Sequence, residues 1–468
     1  MKYVSTRGEA PELGFSDAIL AGLARDGGLY LPQTWPRHSG SDIAQLANRP
    51  YAEVAYTLLR PFVGDDIPDA RFRAIVNEAY ATFRHPAVAP LVQTDAGHFL
   101  LELFHGPTLA FKDVAMQLLG RLMDHVLRER GRRATIVGAT SGDTGGAAID
   151  AFRSCDNIDI FILFPKGRVS PVQQRQMTTI DAPNVHALAI EGSFDDCQAR
   201  VKDMFNHFAF RDRVSLSGVN SINWGRIMAQ IVYYFTSAVA LGSPHRPVSF
   251  TVPTGNFGDI FAGYAAKCMG LPVDKLVIAT NVNDILDRAL RTGRYEVTDV
   301  KPTTSPSMDI QVSSNFERLL FEAAGRDAGS VREQMAGLKQ SGAFTIPRAA
   351  LEVMRRDFLS SRASEEEVRS MIADTLARTG YLLDPHTAVG SIAAERARAG
   401  DTPMVTLVTA HASKFPDAVR EASGVHPELP AWTGDLMQRA ERMTELPNDL
   451  SAIETFIADR SRATTAEA

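Results

Sequence analysis

From about residue 15 to residue 83 the apolar residues recur at helical spacing. FSDAILAGLARDGGLYLP reads as an amphipathic helix that stops at Gly27-Gly28 and continues as a short extended piece; RFRAIVNEAYATF reads as another amphipathic helix. A helical module ending near His85-Pro86 is expected. Beyond it the pattern changes. Short apolar runs at 99–104, 135–139, 160–164, 185–190, 250–253, 276–279 and 405–409 alternate with helical stretches such as DVAMQLLGRLMDHVLRERG. Strands alternating with helices imply α/β layers with largely parallel sheets. Two sheets are expected rather than one, the strands near 135–190 forming a smaller lobe (around 125–215) inserted into a larger one. A helical region is expected from 329 to 380, and the tail from Pro416 reads as helical and charged. The expected organisation is a helical module over 1–85, a catalytic region over 86–420 and a charged helical tail over 421–468.

Composition narrows the function classes. The chain has 468 residues, 45% of them hydrophobic and 22% charged, which is ample for a buried core. A net charge of -6 argues against a nucleic-acid binder, although a local field can still favour anionic small molecules. Cys155, Cys197 and Cys268 are isolated, which fits a reducing compartment and opposes a disulfide framework or a structural zinc site. MKYVSTRGEA contains no apolar run of the secretory kind. The stretch 227–241 is too short for a membrane span and is broken by Gln230, Thr236 and Ser237. A soluble, cytoplasmic protein that binds neither nucleic acid nor membrane is expected.

Candidate chemistry sits at the ends of the predicted strands, where ligands bind in α/β sheets. LELFHGPTLAFKDVAMQLLG reads as a strand, a turn at Gly106-Pro107 and a helix that starts near Lys112. A positive charge there opposes the helix dipole. A helix start and an apolar pocket lower a lysine pKa, which suits a Schiff-base lysine. Alone, the segment favours an exposed lysine paired with Asp113. In ATIVGATSGDTGGAAIDAF a strand runs through Ser141, Gly142, Asp143 and Thr144 into a helix. Its glycines and free N–H groups favour an anion site over a helix merely capped by Asp143 or Thr144. SFTVPTGNFGDIFAGYAAKCMG repeats the design through Gly255, Asn256, Phe257, Gly258 and Asp259. Neither loop matches a mononucleotide or dinucleotide fingerprint. A lysine with two anion cradles suits a phosphorylated cofactor and an anionic substrate. Thr409, at a strand end, could bond a ring nitrogen, though a β-branched strand residue is the better reading of it alone. VNSINWGR carries Asn220, Ser221, Asn223 and Arg226, which could cap a helix or clamp a phosphate. His105, His386 and His411 lack metal-ligand spacing and read as structural; no metal is expected.

The segments FHGPTLAFKD, TSGDTGGAA, VNSINWGR, PTGNFGD and DPHTA, in this order and preceded by GLARDGGLYLP, resemble the threonine synthases of the long-chain branch found in bacteria and fungi. The resemblance spans roughly residues 1–430. It implies the tryptophan-synthase-β-like fold (fold type II of the pyridoxal-phosphate enzymes), with pyridoxal 5'-phosphate (PLP) as cofactor and Lys112 as its Schiff-base lysine. It implies that Gly255, Asn256, Phe257, Gly258 and Asp259 hold the cofactor phosphate and that Thr409 meets the pyridine nitrogen. Ser141, Gly142 and Thr144 would take the substrate carboxylate, with Asp143 facing the cofactor's phenolic oxygen. Asn220, Ser221 and Arg226 would take the substrate phosphate. The implied reaction turns O-phospho-L-homoserine and water into threonine and phosphate, in a monomer or homodimer. Two positions depart from the short-chain branch, which has Asn-Pro where Asn223-Trp224 stands and Asn where Asp143 stands. An aspartate beside a phenolate oxygen brings two negative charges together unless a proton is shared. The same-fold rivals, a serine/threonine dehydratase or a cysteine synthase, have shorter catalytic portions and no such helical module. A threonine-synthase-like phospho-lyase that releases an oxoacid needs the same lysine and phosphate clamp, and only its products would distinguish it. A cofactor-binding relic is opposed by the presence of Lys112 with all its expected companions.

Overall fold

A computed structural model describes residues 1–464. The larger sheet has six strands in the order Phe358–Arg362, Val273–Thr280, Val248–Pro253, Met404–Val408, His98–Glu102 and Leu91–Asp95. Its neighbours are parallel except for the last pair. The smaller sheet is wholly parallel, in the order Thr444–Leu446, Val185–Ile190, Ile158–Pro165, Ala134–Ala139 and Leu216–Ser217. Every residue of Val248–Pro253, Met404–Val408 and Ile158–Pro165 is buried. That explains their unbroken apolar runs, since parallel strands are covered on both faces. All the strands expected from the sequence are present, and those of 135–190 form their own sheet.

The helical module holds the helices Phe15–Ala21, Gly40–Ala44, Tyr51–Val63 and Asp69–Tyr80. The extended piece after Gly27-Gly28 is Tyr30–Pro32, paired antiparallel with Tyr3–Ser5. The apolar stretch 227–241 lies almost wholly in the helix Trp224–Ala240, which packs among the helices Tyr51–Val63, Lys112–Glu129 and Gly258–Cys268. It is apolar nearly all round because it is a core helix. No helix among the described residues is long and apolar enough to cross a membrane.

The structure corrects two expectations. The region 329–380 is not continuously helical: Ala343–Thr345 and Phe358–Arg362 are strands, the latter an edge of the larger sheet. Its short FLSSR pattern carries no clear alternation, and pairing with Val273–Thr280 decides its conformation. The tail is not only helical. Its strand Thr444–Leu446 extends the smaller sheet, and Ile453 and Ile457 of the helix Leu450–Arg460 join Phe161, Leu188 and Val201 in that sheet's core. The last four residues of the expected tail, 465–468, lie outside the described residues.

One core group makes the fold acid-sensitive. His98 is buried, with Nε2 2.7 Å from Thr406 Oγ1, and burial lowers its imidazole from 6.5 to about 4. The unfolded chain therefore takes up this proton before the folded one does. The contribution of His98 to stability is full above pH 6.5 and is lost as pH falls through about 4. It amounts to on the order of 3 kcal/mol. His98→Gln should flatten the dependence of the urea midpoint on pH between 6.5 and 4; an unchanged slope would assign acid sensitivity to other groups.

Candidate active site

The carboxyl ends of both sheets converge on one buried cluster. Lys112 opens the helix Lys112–Glu129, and Leu109 just before it takes a left-handed backbone conformation (φ 62°) that is unfavourable for a side chain other than glycine. The loop is pinned to the end of the strand Met404–Val408: Phe111 N–H donates to Thr409 O at 2.9 Å, and His411 N–H to Leu109 O at 3.0 Å. Lys112 is thereby placed beside Thr409. It is buried and does not pair with Asp113, so the exposed-lysine alternative fails. Asp113 instead accepts from Thr108 N–H (2.8 Å) and Thr108 Oγ1 (2.7 Å), and burial pushes its carboxyl up to about 7.

The partner of Lys112 is Asp143, whose Oδ2 lies 3.5 Å from Nζ. Asp143 opens the helix Asp143–Phe152 and does not cap it; Gly142 occupies the cap position with φ 141°, and Thr140 Oγ1 accepts from Gly142 and Gly145 N–H at 2.9 Å each. A Cβ on Gly142 would land on the Gln173 side chain. Gln173 Nε2 and Lys414 Nζ both reach Asp143 Oδ1, at 2.9 and 2.8 Å. Burial alone would raise the Asp143 pKa, but Lys414 and Lys112 outweigh it and hold the carboxyl well below the ordinary range. For Lys112, burial lowers the pKa, Asp143 opposes the change, and the cations Arg226 and Lys414 reinforce it. The Ser141 and Thr144 hydroxyls, half-buried nearby, make no hydrogen bond among the described residues.

The second cradle follows the strand Val248–Pro253. Phe257 has φ 63° and precedes the helix Gly258–Cys268, while its ring packs against Phe316 and Phe358. Asp259 Oδ1 accepts from both Tyr233 and Tyr234 hydroxyls while its buried Oδ2 has no partner, and burial raises the carboxyl to about 6. Phe257 and Asp259 can therefore serve an anion only through backbone N–H groups. A Cβ on Gly255 would stand 2.6 Å from Ser307 O. Gly255→Val should thus weaken cofactor binding by roughly tenfold or more, while Asn256→Ala, at an exposed side chain, should stay within about threefold. Fluorescence titration with PLP measures both; wild-type affinity in Gly255→Val would remove this loop from the site.

In the third segment Asn223 is a structural cap: its Oδ1 accepts from Gly225 N–H at 2.9 Å, and its Nδ2 donates to Ile19 O at 2.8 Å. Asn220 is exposed and Ser221 half-buried. Arg226 is buried, and its Nη1 donates to Val219 O at 3.4 Å. Its Nε has no partner, and among the described residues it forms no ion pair; burial lowers the guanidinium to about 10. Asn315 and Arg318 join this segment to the second cradle. Asn315 Nδ2 donates to Ser221 O (3.2 Å) and Asn256 O (2.9 Å), and Arg318 Nη2 donates to Ile222 O (2.6 Å). His386 is satisfied by Asp384 Oδ1 (3.0 Å) and by Ser307 N–H (3.3 Å), His105 by Glu102 (2.7 Å) and His411 by Ser413 Oγ (2.7 Å).

The sequence reading missed Lys414, Gln173, Asn315 and Arg318. Lys414 had one local signal, a lone lysine in the small-residue loop that follows Thr409. The other three act across long sequence separations and carry no local signal.

Two buried cations, Lys112 and Lys414, flank a strongly ionised carboxylate, Asp143, and a third, Arg226, lies in the field of Lys112. With two glycine loops, these two lysines fit a doubly anionic cofactor such as PLP, while the unpartnered Arg226 Nε is left for a second anion. Residues 82–337 match the family described as pyridoxal-phosphate dependent enzyme. A tomato threonine deaminase shares the fold at 13% identity, with a TM-score of 0.52 over 77% of this chain and 95% of that one. The fold and site define a PLP-dependent enzyme of fold type II. Residues 2–80 match the threonine synthase N terminus family, and residues 387–457 the C-terminal threonine synthase family. A threonine synthase from Brucella melitensis, solved with PLP bound, is 65% identical, with a TM-score of 0.97 over 99% of this chain and 100% of that one. Threonine synthases from Pseudomonas aeruginosa and Saccharomyces cerevisiae are 55% and 42% identical, covering 98% and 97% of this chain and 98% and 95% of their own lengths. The chain belongs to the threonine synthase family.

Proposed function

We propose that this enzyme converts O-phospho-L-homoserine and water into L-threonine and phosphate. The observation that carries the reading is Arg226, a buried guanidinium without a carboxylate partner among the described residues, close enough to disfavour the ammonium form of Lys112. A substrate bearing only a hydroxyl would leave such a clamp without a role.

In this reading the backbone of Gly255, Asn256, Phe257, Gly258 and Asp259 holds the cofactor phosphate. Thr409 meets the ring nitrogen, and Asp143 the phenolic oxygen. PLP, when bound, supplies an electron sink for charge that develops on the substrate's α-carbon. Ser141, Gly142 and Thr144 hold the substrate carboxylate with hydroxyl and N–H donors. Lys112 Nζ serves as the base at the α-carbon and, once it has returned that proton to the bound substrate, at the β-carbon. Burial equips it for this, since a neutral amine is the working base. Arg226, with Asn220 and Ser221, holds the γ-phosphate, and its bonds tighten as charge builds on the leaving group. The approach of the smaller lobe keeps stray water out until water adds at the β-carbon.

Incubation with O-phospho-L-homoserine should release phosphate and threonine in equal amounts. Phosphate with an oxoacid and no threonine would replace the reading by that of a phospho-lyase.

The reading keeps the division into a module over 1–85, a catalytic region over 86–420 and a tail from 421, now taken as completing the smaller lobe. Support comes from the family matches over 2–80 and 82–337, which divide within about five residues of the first boundary, and from the strand Thr444–Leu446. It places the enzyme in the cytoplasm as a monomer or homodimer, which sedimentation measures.

A further inference from the structure

Lys414 is fully buried in the turn Ala412–Lys414, with Nζ 2.8 Å from Asp143 Oδ1 and 2.6 Å from Thr108 O. Desolvating an ammonium costs several kcal/mol unless a partner offsets it. Here the partner is a carboxylate that already has a cation, Lys112, 3.5 Å from its other oxygen. The second cation has a reason. The lysine that works as a base must give up its proton, and at that moment its charge no longer balances Asp143. A buried carboxylate left alone would take up a proton or repel a neighbouring phenolate. Lys414 stands on the opposite oxygen of Asp143 from Lys112. Together with Gln173 Nε2 it occupies Oδ1, which leaves Oδ2 directed at Lys112.

We infer that Lys414 is a positioning residue, a fixed counter-charge that keeps Asp143 ionised and its Oδ2 turned toward Lys112 and the cofactor whatever the charge on Lys112. The inference rests on the reading that Lys112 carries PLP. It answers the problem posed by Asp143 where the short-chain branch has Asn: the extra negative charge comes with its own cation. Other charges face the pair. Asp113 and His411 lie in the field of Lys414, and Arg226 and Asp259 in that of Lys112. A simple pH optimum therefore cannot isolate Lys414, and charge substitution at both members of the pair can.

The test uses holoenzyme carrying Lys414→Met, Asp143→Asn or both. The readouts are the pH midpoint of the absorbance of the lysine-linked cofactor and the dissociation constant of PLP. Removing the Lys414 charge should raise the midpoint by about one pH unit, because the protonated linkage loses a neighbouring cation; Asp143→Asn should lower it by a similar amount, and the double variant should lie between. Each single variant should weaken PLP binding by roughly tenfold or more, and the double by clearly less than the product. A Lys414→Met midpoint that does not move, or moves in the same direction as Asp143→Asn, overturns the inference. If the wild type has no midpoint in the accessible range, or Lys414→Met does not fold, PLP affinity decides. Asp143→Asn must then bind PLP more weakly than the double variant, which no longer buries an unpaired ammonium; the reverse order sinks the idea. Wild-type protein lacking any lysine-linked absorbance would instead overturn the reading of Lys112 itself.

Discussion

Lys112→Ala should leave a folded protein with no lysine-linked cofactor absorbance and a turnover at least about ten-thousandfold lower, since it removes both the covalent anchor and the general base. Lys112 lies at the start of its helix, buried, among the carbonyl-pinned loops that also position Thr409. Its loss does not strand a charge, because Asp143 keeps Lys414 at 2.8 Å and Gln173 at 2.9 Å. Near-normal circular dichroism and urea midpoint are therefore expected together with the loss of activity. Lys112→Arg separates charge from chemistry: it preserves a cation near Asp143 and should be as inactive as the alanine variant. Residual turnover within tenfold of wild type in Lys112→Ala would remove both the assignment and the mechanism built on it.

Arg226→Ala is expected to lower kcat as well as kcat/KM for O-phospho-L-homoserine, by on the order of a hundredfold or more in efficiency. The reason lies in the state of the guanidinium. It is desolvated, it donates only a long bond to Val219 O at 3.4 Å, and its Nε has no partner, so its donors are ready for an anion. A leaving phosphate gains charge as the bond breaks, so those contacts are stronger in the transition state than in the ground state. PLP loading should be unchanged. The free enzyme should be no less stable in urea, because the substitution relieves an uncompensated buried cation at the cost of a small cavity. Arg226→Lys should recover only part of the rate, since an ammonium has no planar fork. Unchanged kinetics in Arg226→Ala would move the search for the phosphate clamp to Lys166 and Arg168, the two cations of the loop that follows the strand Ile158–Pro165. Lys166 is a poorer candidate on geometry, being engaged by Glu445 Oε2 at 2.5 Å on the surface.

What could be read from the sequence was what is local. Buried strands have continuous apolar runs, so Val248–Pro253 and Met404–Val408 were visible. The loops after Ala139 and Pro253 stood out because glycines and hydroxyls cluster where a strand turns into a helix. Whether a residue acts through side chain or backbone was not visible. Asp259 reads as a ligand, yet its carboxylate is buried and bonded through Oδ1 to Tyr233 and Tyr234, on a helix about twenty-five residues away in the chain. Asn223 reads as a possible phosphate ligand, yet it caps its own helix and holds Ile19 O. Lys414 and Asp143 are far apart in the chain, and nothing at either position announces the other. The edge strand Phe358–Arg362 was hidden for the same reason, since its conformation is set by a partner strand rather than by its own pattern.

The strand Thr444–Leu446 gives the enzyme a particular order of assembly. The rest of the smaller sheet, from Ala134 to Ser217, leaves the ribosome more than two hundred residues before its outer strand does. Throughout that interval the edge of Val185–Ile190 has no partner, and the apolar surface around Leu188 and Val201 lacks the cover of Ile453 and Ile457. An open edge beside uncovered apolar surface invites pairing with other nascent chains. A chain released early, or trimmed before Thr444, would therefore retain every catalytic side chain and still be prone to aggregate.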